Sequence, residues 1–411
     1  MKETKNYKVS IQKIEDEDVQ DAVFKALELI DAKSLMRENM KILVKPNILM
    51  AKPPERATTT HPSVLRAVLK WLKQFNPKKI YVAESSGGQQ MGFTENAMKI
   101  SGILHVCNDE GVECVPFEKT KRKIYKIEKP LVLDHIAAST LIDEVDLIVD
   151  VPKIKTHSQC TLTCAIKNMF GTLILGNKAR NHAQFPRLED FHASLADIYS
   201  VSNPQLIVVD GYLCMEGEGP SAGDVVKMDL ILAGNNGVAI DTVVSHIIAI
   251  PLDEVIHIKK AAEKGLGTTD LNQIQILGEK IEDVKRPFKK PKIKSIPSFV
   301  PQRLIKYASK KLFKAQINFD PNKCKLCGTC WSNCPVEAIT PPKVLKQGNI
   351  PKWDSNKCIS CYCCAELCPY EAIDLKVNYL RNAIFSWLGV GVILILLLIG
   401  YLIYYLAKLL S

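Results

Sequence analysis

Residues 324–335 have the sequence CKLCGTCWSNCP, and residues 358–369 have the sequence CISCYCCAELCP. Both contain the pattern C-x2-C-x2-C-x3-C-P, and both continue into a similar tail, VEAI after the first copy and YEAI after the second. The second copy begins 34 residues after the first, so this segment is an internal repeat. Nine of the fourteen cysteines of the chain lie between Cys324 and Cys368. This crowding of thiols indicates that the segment binds metal.

The repeated pattern resembles that of bacterial ferredoxins with two [4Fe–4S] clusters, in which the fourth cysteine of each copy ligates the other cluster. Thiolates are soft ligands that suit iron. Zinc sites also use C-x2-C pairs, but two complete copies with a trailing proline favour iron–sulfur clusters. The resemblance implies that cluster one takes Cys324, Cys327, Cys330 and Cys368, and that cluster two takes Cys358, Cys361, Cys364 and Cys334.

We assign this ferredoxin-type module to residues 315–378, with repeats at 315–344 and 349–378. The resemblance implies that it transfers single electrons at low potential. Cys363 fits no ligand position and is predicted to be a free thiol. Cys160 and Cys164 form a C-x3-C pair without a third cysteine at the next C-x2 position, so a radical-SAM cluster is not supported.

The composition of the chain is that of a globular protein. Its 411 residues leave room for two or three domains, and 47% of them are apolar and 24% charged. The first 40 residues contain no apolar stretch of the kind found in signal peptides. In a chain that is not exported, cysteines are expected as metal ligands or free thiols, and not as a disulfide framework.

Residues 1–278 alternate between short apolar runs and amphipathic stretches. The apolar runs are residues 41–44, 79–83, 145–151 and 206–210. Continuous apolar strands that alternate with helices, such as one over Ser63–Phe75 preceded by Pro62, are typical of a mostly parallel sheet with helices on both faces. The chain has no G-x-G-x-x-G or Walker A pattern. We therefore predict an α/β domain without a recognisable nucleotide-binding motif.

Short polar segments follow the predicted strands. They are KPN at 45–47, TTHP at 59–62, ESSGG at 84–88, PKIKTH at 152–157, KNMFG at 167–171, DG at 210–211 and MEGEGP at 215–220. Together they resemble, in the same order, the family called domain of unknown function 362, over about residues 40–270. The chain departs from that pattern at Cys164, where a small residue such as glycine is expected. The resemblance implies an architecture, often with a C-terminal dicluster module, and no particular reaction.

Ligands of open α/β sheets bind outside the carboxyl ends of the strands, where these polar segments lie. The candidate catalytic residues are Lys45, His61, Glu84, Lys153, Lys155, His157, Lys167, Asn168, Asp210 and Asp241. The lysines and histidines could form one cationic cleft for a carboxylate or phosphate. The carboxylates could balance that charge, bind a hard cation or move protons. The alternative is that each is an ordinary surface loop residue.

The net charge of +10 comes from one segment. Between Lys285 and Lys314 there are eleven Lys or Arg residues and no Asp or Glu, and the rest of the chain is nearly balanced. Nucleic-acid binding is therefore not expected, because it needs basic residues over a folded face. We assign residues 279–314 to a linker whose second half, 303–313, could form a basic amphipathic helix. Such a helix would lie on an anionic membrane surface or pack as a solvated linker helix.

Residues 383–407 form a 25-residue apolar run without charges. About 20 apolar residues span a bilayer, so this run predicts a single transmembrane helix with aromatic residues near both ends. The last predicted ligand, Cys368, precedes the run by only 15 residues, which would keep the clusters close to the membrane surface. We expect a membrane protein whose bulk faces the cytoplasm, where a redox partner protein or quinone could reach the clusters.

Three functions are compatible with these features. The first is a membrane-anchored oxidoreductase that relays electrons through two [4Fe–4S] clusters to or from an anionic small molecule or cofactor in the α/β domain. The second is an electron-transfer module whose α/β domain docks a protein and binds no substrate. The third is a non-redox enzyme or carrier with structural clusters. The absence of an H-E-x-x-H pattern removes support for a zinc metalloprotease of that type.

Overall fold

The computed structural model describes residues 7–185, 187–291 and 316–376, together with residues 391, 395, 397–401 and 405. The described part consists of an α/β domain on a ten-stranded, mostly parallel sheet and a small dicluster domain.

The strands of the α/β domain are β1 (Tyr7–Lys13), β2 (Lys41–Pro46), β3 (Lys79–Glu84), β4 (Glu113–Pro116), β5 (Arg122–Lys126), β6 (His135–Ser139), β7 (Leu147–Val151), β8 (Lys153–His157), β9 (Thr161–Thr163), β10 (Leu206–Glu216), β11 (Asp224–Gly234) and β12 (Ile274–Gly278). Those of the dicluster domain are β13 (Gln316–Phe319), β14 (Ile339–Thr340), β15 (Lys352–Trp353) and β16 (Ile373–Lys376).

The α-helices are α1 (Val19–Leu29), α2 (Pro62–Lys73), α3 (Phe93–Ile100), α4 (Ile103–Asp109), α5 (Leu141–Glu144), α6 (Ala165–Asn168), α7 (Gly176–Gln184), α8 (Leu188–Ser202), α9 (Gly237–Ile247), α10 (Ile256–Glu263), α11 (Ile281–Val284), α12 (Thr329–Ser332) and α13 (Cys363–Glu366). Short 3-10 turns lie at Ala32–Leu35, Pro54–Arg56, Phe117–Lys119, Met169–Thr172, Leu252–Glu254 and Leu271–Gln273.

The main sheet has the order β12-β1-β11-β10-β7-β2-β3-β4, and β8 pairs with both β10 and β9. Strands β10, β7, β2, β3 and β4 run parallel to one another, whereas β11 is antiparallel to both β1 and β10. The four apolar runs predicted as strands correspond to β2, β3, β7 and the first half of β10. The prediction of a mostly parallel sheet is confirmed.

Helices cover both faces of this sheet, and the alternation of side chains along β2 shows how. Leu43 belongs to the core formed with α6, α8, α9 and α10, whereas Ile42 and Val44 belong to the core formed with α1, α2 and α4. All three side chains are fully buried. Because both faces are covered, β2 is a continuous apolar run and not an alternating one. Burial of each such side chain contributes roughly 1.5–3 kcal/mol.

Helix α2 begins where the sequence predicts. Pro62 occupies the first turn, where its missing N–H costs nothing, and Nδ1 of His61 accepts the N–H of Ser63 at 3.3 Å. The helix ends at Lys73, before the predicted Phe75. The ring of His61 therefore caps the first turn of α2. This turn lies beside the carboxyl end of the sheet.

The packing of the α/β domain continues beyond residue 278. Helix α11 lies in the segment assigned to the linker, and Ile281, Val284 and Phe288 are buried in the main core. The predicted amphipathic helix at 303–313 lies outside the described residues.

The dicluster domain is built from two short antiparallel pairs. Strand β13 pairs with β16, and β14 pairs with β15. Helices α12 and α13 occupy equivalent places in the two sequence repeats, each just before the last cysteine of its copy. The apolar cluster that joins these elements includes Ile317 and Ile339.

Most of the apolar run at 383–407 lies outside the described residues, so the predicted transmembrane helix there stays a prediction. Within the described residues, no helix has both the length and the apolar character needed to cross a bilayer.

Candidate functional site

A pocket of about 780 Å³ lies between the carboxyl edge of the sheet and the dicluster domain. Strands β2, β3 and β8 bring their ends or the loops after them to this edge. The polar lining side chains of the α/β domain are Asn47, Glu84, Ser85, Gln89, Lys155, His157, Thr163, Lys167, Asn168, Lys178 and His182. The dicluster domain contributes Asn333, Cys363, Glu366 and Leu367. Five of the ten predicted site residues line this pocket: Glu84, Lys155, His157, Lys167 and Asn168.

A buried ion pair forms the floor of the pocket. Nζ of Lys45 lies 2.6 Å from Oε2 of Glu84, and both side chains are almost completely buried. Oε1 of Glu84 also accepts the backbone N–H of Ser85 at 2.8 Å. Gly171 packs directly on this pair, because a Cβ atom there would lie 2.0 Å from Oε1 of Glu84 and 2.7 Å from Nζ of Lys45. The glycine of the KNMFG segment is thus required by packing.

Lys155 projects from β8 into the pocket wall without a carboxylate partner in the described structure. Its Nζ donates to Oδ1 of Asn47 at 2.7 Å and to the carbonyl oxygen of Thr58 at 2.8 Å. Burial, followed by the charges of Lys167 and Lys153, lowers the pKa of Lys155 well below its ordinary value. A bound anion would reverse this shift by supplying the missing opposite charge.

His157 lies at the end of β8 with its tautomer fixed by the backbone. Its Nδ1 accepts the N–H groups of Gln159 and Cys160, at 3.0 and 3.2 Å. The proton of the neutral ring is therefore on Nε2, which lies 3.6 Å from Oε1 of Glu366 in the dicluster domain. Burial, followed by the charge of Lys167, lowers the pKa of His157 well below its ordinary value.

Helix α6 carries two of the predicted residues into the pocket. Lys167 is half-buried, with its Nζ 5.6 Å from the ring centre of Phe170. Nδ2 of Asn168 donates to Oδ1 of the buried Asp150 at 2.7 Å. Burial raises the pKa of Asp150 to about 8.

Asp241 does not line the pocket. Its two carboxylate oxygens accept the N–H groups of Ala165 and Ile166, at 2.7 and 3.0 Å. It therefore holds the first turn of α6 in place. Burial raises the pKa of Asp241 to about 7. Both of its oxygens thus face backbone donors of α6.

Lys153, Asp210 and His61 form a separate group beside the pocket and do not line it. Nζ of Lys153 lies 2.8 Å from Oδ2 of Asp210, and both side chains are fully buried. The backbone N–H of His61 donates to the same oxygen at 2.6 Å. Burial lowers the pKa of the His61 ring. The single cationic cleft that the sequence predicts is thus two groups, and Asp210 is used as the partner of Lys153.

Helix α7 supplies two pocket residues that the sequence analysis missed. Lys178 donates to the carbonyl oxygens of Ser85 and Ser86, the latter at 2.8 Å, and burial lowers its pKa to about 8. His182 stacks on Phe191 with ring centres 4.3 Å apart, and burial lowers its pKa to about 3. Lys178 and His182 are four residues apart and so share a helix face, which is the signal that could have identified them.

Three buried polar atoms of the lining have no hydrogen-bond partner within the described parts of the chain. They are Oγ1 of Thr163, Oδ1 of Asn168 and Nδ1 of His182. Buried polar atoms are almost always satisfied in folded proteins, and exceptions often mark a place for a ligand or ordered water. Together with the basic side chains, these atoms fit a ligand that carries negative charge and both accepts and donates hydrogen bonds.

Specific contacts hold the dicluster domain against the pocket. The N–H and the side-chain amide of Gln89 donate to Oδ1 and to the carbonyl oxygen of Asn333, at 2.6 and 3.0 Å. Oγ of Ser221 donates to the carbonyl oxygen of Glu366 at 2.6 Å. At the rim, Lys52 and Arg56 both pair with Glu371, Lys52 at 2.5 Å. The dicluster domain therefore forms one wall of the pocket.

The dicluster domain contains two cavities that separate the predicted ligands as the ferredoxin resemblance implies. One, of about 310 Å³, is lined by Cys324, Cys327, Cys330 and Cys368, and the other, of about 300 Å³, by Cys334, Cys358, Cys361 and Cys364. The sulfur atoms of Cys334, Cys358 and Cys368 each accept a backbone N–H at 3.2–3.4 Å. Four thiols with N–H donors in an apolar setting fit a [4Fe–4S] cluster in each cavity.

Cys363 lines neither of these cavities. It lies between Tyr362 and Cys364 at the start of α13 and contributes instead to the pocket of the α/β domain. The equivalent position of the first repeat is Thr329. Comparison of the two repeats shows that this thiol is not at a ligand position common to both copies.

Two known families match this chain. The family described as "Domain of unknown function (DUF362)" matches residues 42–246, and the family described as "4Fe-4S dicluster domain" matches residues 323–372. A thylakoid-associated protein of Synechocystis sp. is 28% identical over 228 residues, which are 55% of this chain and 68% of that protein.

Two solved structures show weaker likeness. The lactate racemase apoprotein from Thermoanaerobacterium thermosaccharolyticum is 18% identical, with 56% of this chain and 54% of that chain covered and a TM-score of 0.36. A Thermotoga maritima protein is 14% identical, with 61% and 58% covered and a TM-score of 0.36. The match therefore spans little more than half the length of either structure, and scores at this level support no statement about fold or function.

The matches agree with the sequence motifs and with the two cysteine-lined cavities, so two [4Fe–4S] clusters are the cofactors of the C-terminal part. The chain carries a domain of the DUF362 family followed by a 4Fe–4S dicluster domain.

Proposed function

We propose that this protein is an iron–sulfur oxidoreductase that exchanges electrons between its clusters and an anionic small molecule or cofactor bound in the pocket. One observation carries the proposal: the pocket wall includes residues that directly neighbour predicted cluster ligands in the chain. Asn333 precedes Cys334, Cys363 precedes Cys364, and Leu367 precedes Cys368. The motif of a ferredoxin and the polar pocket therefore share one wall.

The shared wall makes the electron path short. Consecutive Cα atoms are about 3.8 Å apart, so a cluster held by Cys334 and Cys364 would lie one residue from the pocket surface. When bound, the clusters supply one-electron chemistry. The other cavity is lined by the exposed Cys327, and this exposure suits electron exchange with a partner.

The charges of the lining support an anionic ligand. Lys155, Lys167 and Lys178 have neutral oxygens or an aromatic ring as their described neighbours, and not carboxylates at ion-pair distance. A carboxylate or phosphate group would complete them with charge-assisted hydrogen bonds. The Nε2–H of His157, in the wall of the pocket, would donate a hydrogen bond to the ligand.

The proposal is tested by anaerobic purification followed by native mass spectrometry, which identifies any small molecule bound with the protein. That molecule is then mixed with dithionite-reduced protein, and cluster absorbance reports reoxidation. We expect Lys155→Gln and Lys167→Gln to slow the reoxidation at least tenfold with an iron count near eight retained. Equal rates in the variants and the parent would sink the proposal and would favour a module that transfers electrons only to proteins.

A protein or quinone as the second redox partner is part of the proposal. The loop between β14 and β15 exposes Val344 and Leu345, flanked by Lys343 and Lys346. Apolar side chains within a basic frame suit a transient partner with acidic groups around its redox centre. Salt should slow electron exchange with such a partner, which stopped-flow mixing at increasing ionic strength measures.

We also propose that residues 383–407 anchor the protein in a membrane, with the bulk facing the cytoplasm. The length and apolar character of the run support this proposal, as does the name of the Synechocystis relative, a thylakoid-associated protein. Cell fractionation should find the full chain with membranes and a chain ending at residue 378 in the supernatant. Equal distribution of the two would argue against the anchor.

A further inference from the structure

The further inference concerns how the pocket and the neighbouring cluster influence each other, and it rests on the proposed function. The cavity predicted for cluster two is lined by Cys334 and Cys364, and the adjacent residues Asn333 and Cys363 line the pocket. Between these places stands protein, not solvent, since Cys364 is buried and Asn333 is 2% exposed. Charges on the two sides therefore interact with little screening.

The basic side chains of the pocket have no carboxylate at ion-pair distance within the described structure, and Glu84 and Glu366 act on them only from farther away. Lys155 is bonded to Asn47 and Thr58, Lys178 to the carbonyl oxygens of Ser85 and Ser86, and none of these oxygens is charged. Lys167 lies over an aromatic ring. By contrast, the charge of Glu84 is already matched by Lys45.

The dicluster domain places one carboxylate close to the pocket. Glu366, in α13, lies 3.6 Å from Nε2 of His157 and 3.4 Å from Oγ of Ser158. It stands between the two sites together with the thiol of Cys363. The pocket lysines thus have two possible sources of added negative charge: a ligand on one side and a reduced cluster on the other.

Reduction of cluster two adds one negative charge next to the pocket, and an anionic ligand adds negative charge inside it. We propose that anion binding in the pocket and reduction of cluster two oppose each other. A bound anion lowers the reduction potential of cluster two, and reduction of the cluster weakens the affinity for the anion by the same factor. The two effects must be equal because they are sides of one thermodynamic cycle.

The coupling has a direction that suits an electron-delivering site. With an anion in the pocket, the neighbouring cluster becomes a stronger reductant than in the empty protein. The driving force for electron transfer is therefore greatest when there is a molecule to receive the electron. Cluster one would be affected less, because only one of its predicted ligands, Cys368, directly follows a pocket residue, whereas two ligands of cluster two do.

Inorganic phosphate is the probe for the test, used with the full-length, cluster-loaded protein under anaerobic conditions. Redox titrations followed by EPR give the two cluster potentials with and without phosphate, and equilibrium dialysis gives phosphate affinity in both redox states. We expect one potential to fall and the other to change less. If reduction weakens phosphate binding tenfold, the fall should be about 59 mV, the one-electron equivalent of that factor.

Lys167→Gln should lose most of the phosphate-dependent shift and keep an iron count near eight. Lys123→Gln is the matched control, because Lys123 is an exposed lysine on β5 paired with Asp143 and does not line the pocket. It should shift as the parent does. Phosphate that binds equally well in both redox states would overturn the coupling and leave the proposed function standing. An equal shift of both potentials, reproduced by chloride, would also overturn it. Failure of phosphate to bind either form would overturn the anion pocket itself.

Discussion

Two kinds of buried lysine stand side by side at the carboxyl edge of the sheet. Lys45 and Lys153 each have a buried carboxylate partner, at 2.6 Å from Glu84 and 2.8 Å from Asp210. Lys155 and Lys178 are also buried, but their described hydrogen bonds go to neutral oxygens. A buried charge with a partner belongs to the structure, whereas one without a partner raises the question of what completes it. The paired lysines therefore stabilise the structure around the pocket, whereas the unpaired lysines form the surface that would contact a ligand.

The strongest test of this comparison removes the lysine from one of the buried ion pairs. Lys45→Met leaves Glu84 as a buried carboxylate without its cation, and such losses cost about 3–5 kcal/mol. Lys167→Met, which removes an unpaired and half-buried lysine, should cost about 1 kcal/mol or less. Chemical denaturation followed by circular dichroism compares the two variants.

The double variant Lys45→Met/Glu84→Leu provides the control for this prediction. Replacing both members of a buried pair by apolar groups is often nearly neutral, so much of the lost stability should return. If Lys45→Met and Lys167→Met unfold at the same denaturant concentration, the distinction between paired and unpaired lysines is wrong.

A second variant tests whether the ion pair of Lys45 and Glu84 tolerates an added methyl group beside it. Gly171→Ala would place a Cβ atom 2.0 Å from Glu84, so the ion pair must move. Overpacking of this kind costs about 1–3 kcal/mol. Gly176→Ala is the matched control in the same stretch, because its Cβ would meet nothing closer than 3.4 Å. Equal thermal stability of the two variants would contradict the geometry of the floor.

For the unpaired Lys178 we predict that rising pH increases the stability of the protein and decreases its affinity for an anion. The pKa of Lys178 is lowered to about 8, so the folded protein releases a proton between about pH 8 and the ordinary value of 10.5, while the unfolded chain keeps it. Stability should therefore rise with pH across this window. Affinity for sulfate, whose charge is constant there, should fall by up to about tenfold per pH unit as the amine becomes neutral.

The charged groups that act on Lys178 are Glu84, Lys45, Glu118 and Lys167, and all four are retained in Lys178→Met. Lys178→Met should flatten both pH profiles, which are measured by thermal unfolding and by calorimetric titration with sulfate. Sulfate affinity that is constant from pH 7 to 10 in the parent protein would show that Lys178 does not bind the anion.

The smallest effect is expected from the ion pairs that Lys52 and Arg56 form with Glu371 at the rim of the pocket. Lys52 and Arg56 both contact Glu371, which is 38% exposed, so Glu371→Gln should weaken docking of the dicluster domain by only about 0.5–1 kcal/mol. The internal repeat offers an exact control position, because Glu337 occupies the equivalent place in the first copy and is exposed. Hydrogen exchange around Asn333 should increase in Glu371→Gln and stay unchanged in Glu337→Gln.

The sequence predicted different parts of the molecule with different success, for physical reasons. The sheet and α2 could be predicted because continuous apolar strands and a proline at the first helical turn are local signals. The clusters could be predicted because all their ligands come from one short repeat. Lys153 and Lys155 could not be distinguished, because they lie two residues apart on β8 and point to the same side. The pairing of β8 with β10 is irregular, so Lys153 meets Asp210 and Lys155 reaches Asn47 instead.

The wall built by the dicluster domain was outside the reach of local patterns. Cys363, Glu366 and Leu367 meet the α/β domain through contacts that span more than a hundred residues of chain, such as the bond from Ser221 to Glu366. A comparison of the repeats gives a partial signal, since the first copy has Thr329 and Ser332 at the places of Cys363 and Glu366. The signal is only partial because the copies also differ at places that line the cluster cavities, such as Gly328 and Tyr362.

The shared wall has a consequence for how the protein matures in the cell. A domain as small as residues 316–376 has little apolar core of its own, and folds of this size depend on their metal for stability. Until iron and sulfide are inserted, Asn333, Cys363 and Glu366 would have no fixed place, and the pocket would stay open on one side. The supply of iron would then decide not only whether electrons can flow but whether the site for their recipient exists at all.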